Sequence, residues 1–198
     1  MMPVLSLFDF DGTITNKDSM FCFMRFAVGK PAFYWGLLVL SPILVAYRLK
    51  LILGDAAKKR LIRYFFKGWG VTEFMELADQ FSREQIEKIT RTTAMERIRW
   101  HQQQGHQVVI VSASMECWLK AWCEKNKLDL IATRLKVIDD KLTGDFDGRN
   151  CNGIEKVNRV KQAYDLSSCK YIYAYGDSVG DKELLELANE SHYGFFKD

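Results

Sequence analysis

Short apolar runs along this chain repeatedly end on polar residues. Residues 4–10 (VLSLFDF) and 107–112 (QVVIVS) are brief and rich in aliphatic and aromatic side chains. That pattern predicts strands buried on both faces of a parallel sheet. In the first run, alternation places Leu5, Leu7, Asp9 and Asp11 on one side and Val4, Phe8 and Phe10 on the other. Residues 84–104 space Ile86, Ile89, Thr93, Ile98 and Trp100 close to a helical period, with Gly105 as the stop. A second helix is expected over 115–126, with Trp118, Leu119 and Trp122 on one side, as core. A third strand follows at Leu130 to Leu135, then a hairpin over 136–148 turning at Asp139 and Asp140. Residues 154–164 read as a helix, 171–178 (YIYAYGDS) as a buried strand, 182–188 as a helix and 192–196 as a short strand. Strands alternating with helices predict an α/β fold with a Rossmann-like, doubly wound parallel sheet. Sites in such folds lie at the carboxyl ends of the strands.

One interval breaks the rhythm. Asp11 and Gln107 are separated by far more chain than the dozen or so residues a β-α-β crossover needs. A helical cap domain is therefore expected at 16–85, with 1–15 and 86–198 forming the core. Inside it, Ala32 to Tyr47 runs without a charge. As a helix this stretch would be ~24 Å long, short of the ~30 Å hydrocarbon core of a bilayer, and Pro42 would interrupt it. Two readings stand: a buried helical hairpin of the cap, or a contact with a membrane surface. Residues 48–67 hold seven basic side chains (Arg48, Lys50, Lys58, Lys59, Arg60, Arg63, Lys67) against Asp55 alone. Such a segment is either a solvated face or a partner for anionic lipid.

Bulk properties narrow the class. A net charge of +3 gives no warrant for nucleic-acid binding. Five scattered cysteines, odd in number and without a C-x-x-C pair, argue against a disulfide framework or zinc site. The amino-terminal apolar run lacks a basic leader and reaches Asp9 at once, unlike a signal peptide. We expect a reduced, cytoplasmic protein, or one peripheral to the inner membrane face.

The strand ends carry the chemistry. Two carboxylates ~4 Å apart repel by roughly 4 kcal/mol at an effective dielectric of about 20, so Asp9 and Asp11 call for a cation or a reaction. The twelve-residue calcium loop fails as an explanation, since Ile14 stands where its glycine belongs and Met20 where its glutamate belongs. Ser112 ends the second strand, Asp177 and Asp181 follow the fourth, and Lys156 opens the helix after "NCNG". Each alone has an ordinary use, as a helix cap, a polar turn or a solvated lysine. Together they describe an oxygen-ligand site for Mg²⁺ beside a phosphate-binding site. Histidine catalysis has no support from the scattered His101, His106 and His192, and Tyr171, Tyr173 and Tyr175 are expected to pack.

This set resembles the haloacid dehalogenase superfamily of phosphohydrolases, which carries D-x-D-x-T, then Ser or Thr, then Lys, then G-D-x-x-x-D. Here these are Asp9 to Thr13, Ser112, Lys156, and Gly176-Asp177 through Asp181. The position of the insert and the "DKLTGDFDG" hairpin resemble the phosphoserine phosphatase-like branch, and the insert loosely resembles that of phosphatidylglycerophosphate phosphatases. The resemblance implies that Asp9 is the nucleophile and Asp11 the general acid and base. Asp9, the Asp11 carbonyl and Asp177 would hold Mg²⁺, with Asp181 orienting the metal's waters. Gly12, Thr13, Ser112, Ala113 and Lys156 would bind phosphate, and Asp18 and Arg60 would reach the substrate, a small phosphorylated metabolite such as phosphoserine or a lipid head group. Two positions depart from the branch: Asp18 replaces its usual glutamate, and Gly180 its common asparagine. The rival class is a non-enzymatic phospho-accepting receiver module, which needs neither Asp11 nor a cap. A phosphotransferase with an acceptor other than water is a further alternative.

Overall fold

The computed structural model describes residues 2–196. Six strands form one sheet in the order β4-β3-β2-β1-β5-β6, parallel throughout except for the β3/β4 hairpin. Their ranges are β1 Val4–Phe8, β2 Gln107–Met115, β3 Asp129–Ile138, β4 Lys141–Asp147, β5 Tyr171–Gly176 and β6 Glu190–Tyr193. The hairpin turns where expected, with Asp139 and Asp140 both at positive φ (49° and 57°), the conformation a two-residue turn between right-twisted strands requires. β1 lies in the middle, with Phe8 level with Ile110 of β2 and Tyr175 of β5. That register ends β1 and β5 level with each other while β2 runs on to Met115, and brings the loops after β1 and β5 beside the last residues of β2.

Alternation along β1 works as the pattern predicts. Leu5 and Leu7 pack with Val160 and Leu184 on one face, whereas Phe8 and Phe10 join the larger cluster on the other. That larger cluster is shared with the helices inserted after β1: α1 Ser19–Val39, α2 Ser41–Arg48, α3 Gly54–Phe66 and α4 Val71–Glu84. Phe23 of α1 stacks on Trp118 at 4.7 Å, a residue of α6 (Glu116–Lys125), the helix that packs on β2 and β3. Trp118, Leu119 and Trp122 are all buried. α7 (Ile154–Ala163) and α8 (Lys182–Glu186) cover the opposite face.

Four expectations are corrected. The single helix over 84–104 is instead the end of α4, a 3-10 turn at Ile86–Ile89 and α5 (Thr92–Gln103). Thr90 is extended and bridges Thr15, and Arg91 N–H donates to Ile14 O at 2.8 Å. Pairing between the outgoing and returning chains replaces helix in a threonine-rich stretch of weak propensity. Strands β1 and β5 stop two residues short of the expected ends, at Phe8 and Gly176, so the aspartates sit on loops. β6 is displaced towards the N-terminus, because Phe196 leaves it to pack on Tyr175, ring centroids 5.5 Å apart. Finally, Ala32 to Tyr47 is no buried hairpin: α1 bends at Gly29, breaks again at Leu40, and α2 has no buried residue. The two helices meet at 59°. Gly36 anchors the second half of α1, for a Cβ there would lie 2.3 Å from Phe65 Cζ.

Candidate active site

A cavity of about 750 Å³ opens at the carboxyl ends of β1, β2 and β5. Asp9, Asp11, Ser112, Ala113, Lys156 and Asp181 line it. Asp9 is buried and accepts a hydrogen bond from Lys156 Nζ at 2.5 Å, and the same ammonium reaches Asp181 at 2.6 Å. Burial pushes the Asp9 carboxyl up to about 6 despite Lys156. For Lys156 burial alone would lower the pKa, but Asp9 and Asp181 hold it above its ordinary value. A fully buried lysine between two carboxylates is a fixed positive charge, not the solvated surface residue that its type suggests.

Asp11 is held differently. It accepts from Ser19 N–H at 2.7 Å, from the Ser19 hydroxyl and from the Ser114 hydroxyl. Burial first, then the Asp18 carboxylate, push its carboxyl up to about 7, against the two serines. The two aspartates of the motif thus face one cavity with separate supports: a cation under Asp9, neutral donors around Asp11.

Asp9, Asp177 and Asp181 bring one carboxylate oxygen each within 4.8 Å of one another. This all-oxygen set fits a hard divalent cation such as Mg²⁺. Asp181 is already engaged by Ser178 N–H, Ser178 Oγ and Lys156. These contacts hold its carboxyl below the ordinary range although burial opposes them, which leaves it better placed to orient the site than to bind the ion directly. The Asp11 carboxylate is outside this group, because it turns to Ser19 and Ser114.

The loops explain the small residues. Gly12 has φ +88°, and a Cβ on it would stand 2.5 Å from Asp177 Oδ2, so only glycine lets the β1 and β5 loops close. Thr13 Oγ1 donates to Asp177 at 3.2 Å. Ser112 Oγ accepts from Ser114 N–H at 3.0 Å. Gly180, the departure from the related branch, has its reason in Asn152, whose Oδ1 would lie 2.1 Å from a Cβ at 180.

The insert contributes a residue the sequence did not single out for this role. Lys58 of α3 enters the cavity and donates to the carbonyl of Ala113 at 2.6 Å. Burial lowers its pKa, while Asp11, Asp18 and Asp55 favour its charge. Arg60, the expected cap residue, is exposed and does not line the cavity. Helix periodicity decides between them: on α3, Ala57, Leu61 and Phe65 are buried, and Lys58 leans with that inward face whereas Arg60 points away. Asp18 lines the cavity mouth but also caps α1, accepting from Phe21 N–H at 3.1 Å. The basic run over 48–67 is not one free face, since Lys59 and Arg63 both pair with Asp145 of β4. Asn150 ties α3 to the core, donating to Asp55 at 2.7 Å and accepting from Thr133 at 2.9 Å.

Comparison with known proteins agrees with this geometry. The family model for haloacid dehalogenase-like hydrolases matches residues 6–186. Protein CicA of Caulobacter vibrioides is 35% identical over 197 residues, covering 98% of this chain and 87% of that protein. A probable phosphatase of Mycobacterium tuberculosis is 28% identical, covering 94% of this chain and 67% of its own length. Among solved structures, a Bordetella pertussis protein of unknown function superposes with TM-score 0.84 at 24% identity, covering 96% of this chain and 89% of that one. A phosphoserine phosphatase captured as a phospho-aspartyl intermediate analogue gives TM-score 0.68 at 21% identity over 96% of this chain and 86% of its own. Those two likenesses are of fold. With Asp9, Asp11, Ser112, Lys156 and Asp181 lining one cavity, Asp177 beside Asp9 and Asp181, and the family model spanning most of the sequence, this chain belongs to the haloacid dehalogenase-like hydrolases.

Proposed function

We propose that this hydrolase is a Mg²⁺-dependent phosphatase that acts on a phosphomonoester through an aspartyl phosphate on Asp9. The observation that carries the reading is the division of labour between Asp9, on the buried Lys156 ammonium, and Asp11, whose carboxyl is raised to about 7. A divalent cation held by Asp9 and Asp177, with the Asp11 carbonyl, would offset the charge of the phosphate dianion. Asp9 attacks phosphorus and the bond from phosphorus to the ester oxygen breaks, while Asp11 gives its proton to that oxygen. Water then attacks the aspartyl phosphate, Asp11 takes the water's proton, and inorganic phosphate leaves with Asp9 regenerated. Lys156, Ser112 and the loop around Gly12 and Thr13 supply charge and donors where the transferring phosphoryl oxygens gather. Lys58 adds a second cation above that centre, which suits a substrate with another anionic or polar group near its phosphate. Such substrates include small phosphorylated metabolites and phosphorylated lipid head groups.

Hydrolysis of p-nitrophenyl phosphate with Mg²⁺, and its loss in excess chelator, tests the reading. Acid-quenched protein should carry phosphate on Asp9 during turnover. Equal release of phosphate and nitrophenol separates hydrolysis from transfer to another acceptor. Full activity in chelator, or none of the labelled enzyme, would overturn the mechanism.

A further inference from the structure

The segment from α1 to α3 carries a concentration of exposed apolar side chains found nowhere else among the described residues. On the second half of α1, Phe33 and Gly36 turn inward. Tyr34, Trp35, Leu38 and Val39 fall on the outward face one turn apart, with Trp35 64% exposed. The connection from α2 to α3 adds Leu49, Leu51 and Leu53, the last two 74% and 80% exposed. Patches of this kind mark an interaction surface.

Charge selects the occupant. From Ser19 to Gly54 the chain has no acidic residue, and Lys30, Arg48 and Lys50 are exposed along it. A two-fold contact between copies would place these like charges together without an acid to answer them. An anionic bilayer answers them along its whole surface. The side chains match an interface too: tyrosine and tryptophan seat at head-group depth and leucines reach the acyl boundary. Among the described residues no single helix is long and apolar enough to cross a membrane, and α1 and α2 bend by 59°, which suits lying on a surface more than spanning it. The face also continues into the cavity, since Leu44 and Tyr47 of α2 line it.

We propose that the outward face of α1, α2 and the following loop docks on an anionic lipid bilayer, setting the cavity mouth at the membrane surface. This docking is independent of the phosphatase reading. The test is co-sedimentation of the full chain with vesicles of phosphatidylglycerol and phosphatidylcholine, and with phosphatidylcholine alone. Binding should be strong with the anionic vesicles at low salt and weaken as the screening length falls from ~30 Å at 0.01 M to ~8 Å at 0.15 M. Replacing three anchors together (Trp35→Ser, Leu51→Ser, Leu53→Ser) should lower partitioning by roughly tenfold or more, since each removes buried apolar area at the interface. Arg48→Glu with Lys50→Glu should remove the preference for anionic lipid. Both variants should hydrolyse soluble p-nitrophenyl phosphate as the parent does, which shows that they fold and keeps failure of docking distinct from failure of the chemistry. No sedimentation with anionic vesicles at low salt overturns the proposal. So does a dimer in solution that the triple variant converts to monomer, which would assign the face to a second copy.

Discussion

Asp9 and Asp11 stand two residues apart, yet one rests on an ammonium and the other on two serines, so their substitutions should fail in different ways. Asp9→Asn should abolish turnover and the acid-stable phosphoenzyme, because an amide is a poor nucleophile and a poor ligand for a hard cation. Asp11→Asn should still bind phosphate while losing ~10²- to 10⁴-fold in kcat, the usual weight of a general acid and base. The pH profile follows from the same pair. As the proposed nucleophile Asp9 must be ionised, and burial raises its carboxyl to about 6, so kcat/KM should fall as pH drops below that value. In the proposed mechanism Asp11 protonates the leaving oxygen, and burial raises its carboxyl to about 7, so activity should also fall as pH rises past it. Added Mg²⁺ should move the acid limb lower, since a cation favours the carboxylate form. A profile flat from pH 5 to 9 would contradict these assignments.

At the scale of the element, α3 carries Lys58 into the cavity while α3 itself is seated on β4. Gly144 of β4 has φ +81°, and a Cβ on it would meet Arg63 Cα at 2.7 Å. Gly144→Ala should therefore destabilise the fold by ~1–3 kcal/mol, through strain and displacement of α3, read as a lower urea midpoint. By contrast Arg63→Ala breaks an exposed pair with Asp145 and should cost no more than ~1 kcal/mol. Lys58→Ala should raise KM by about tenfold with a smaller change in kcat, as expected for a residue that holds substrate and not the reacting bond. Equal kinetics for Lys58→Ala and Arg60→Ala would remove Lys58 from substrate binding.

For the whole molecule, the larger apolar cluster runs without a break from the inserted helices into the sheet layer. Phe23 stacked on Trp118 stands at that junction. The chain should accordingly unfold in one transition, with coincident far-ultraviolet dichroism and tryptophan fluorescence. Phe23→Ala should lower stability by ~3–5 kcal/mol, as for a large aromatic removed from a packed core. Two resolved transitions would show that the inserted helices are an independent unit.

Near-neighbour rules were enough to place the strands of the sheet to within a few residues, to locate the hairpin turn at Asp139 and Asp140, and to single out the aspartate pair as a candidate site. Alternation sorts Leu5 and Leu7 from Phe8 and Phe10 within a few residues, and two aspartates at a strand end announce a site before any contact is known. Tertiary structure alone decided matters that depend on distant chain. Thr90 forms no helix because Thr15, far away in sequence, offers it a backbone partner. Gly180 is glycine because Asn152 fills its place. The spacing of Ala57, Leu61 and Phe65 marks the side of α3 that carries Lys58 and not Arg60 as inward, but only the seating of α3 beside β4 puts that side over the cavity. Ala32 to Tyr47 kept its apolar surface exposed for the same kind of reason. Hydrophobicity drives such side chains out of water without naming what covers them; here Phe33 and Leu40 reach the core cluster and Leu37, Ile43 and Leu44 pack against it, whereas Tyr34, Trp35, Leu38 and Val39 stay exposed.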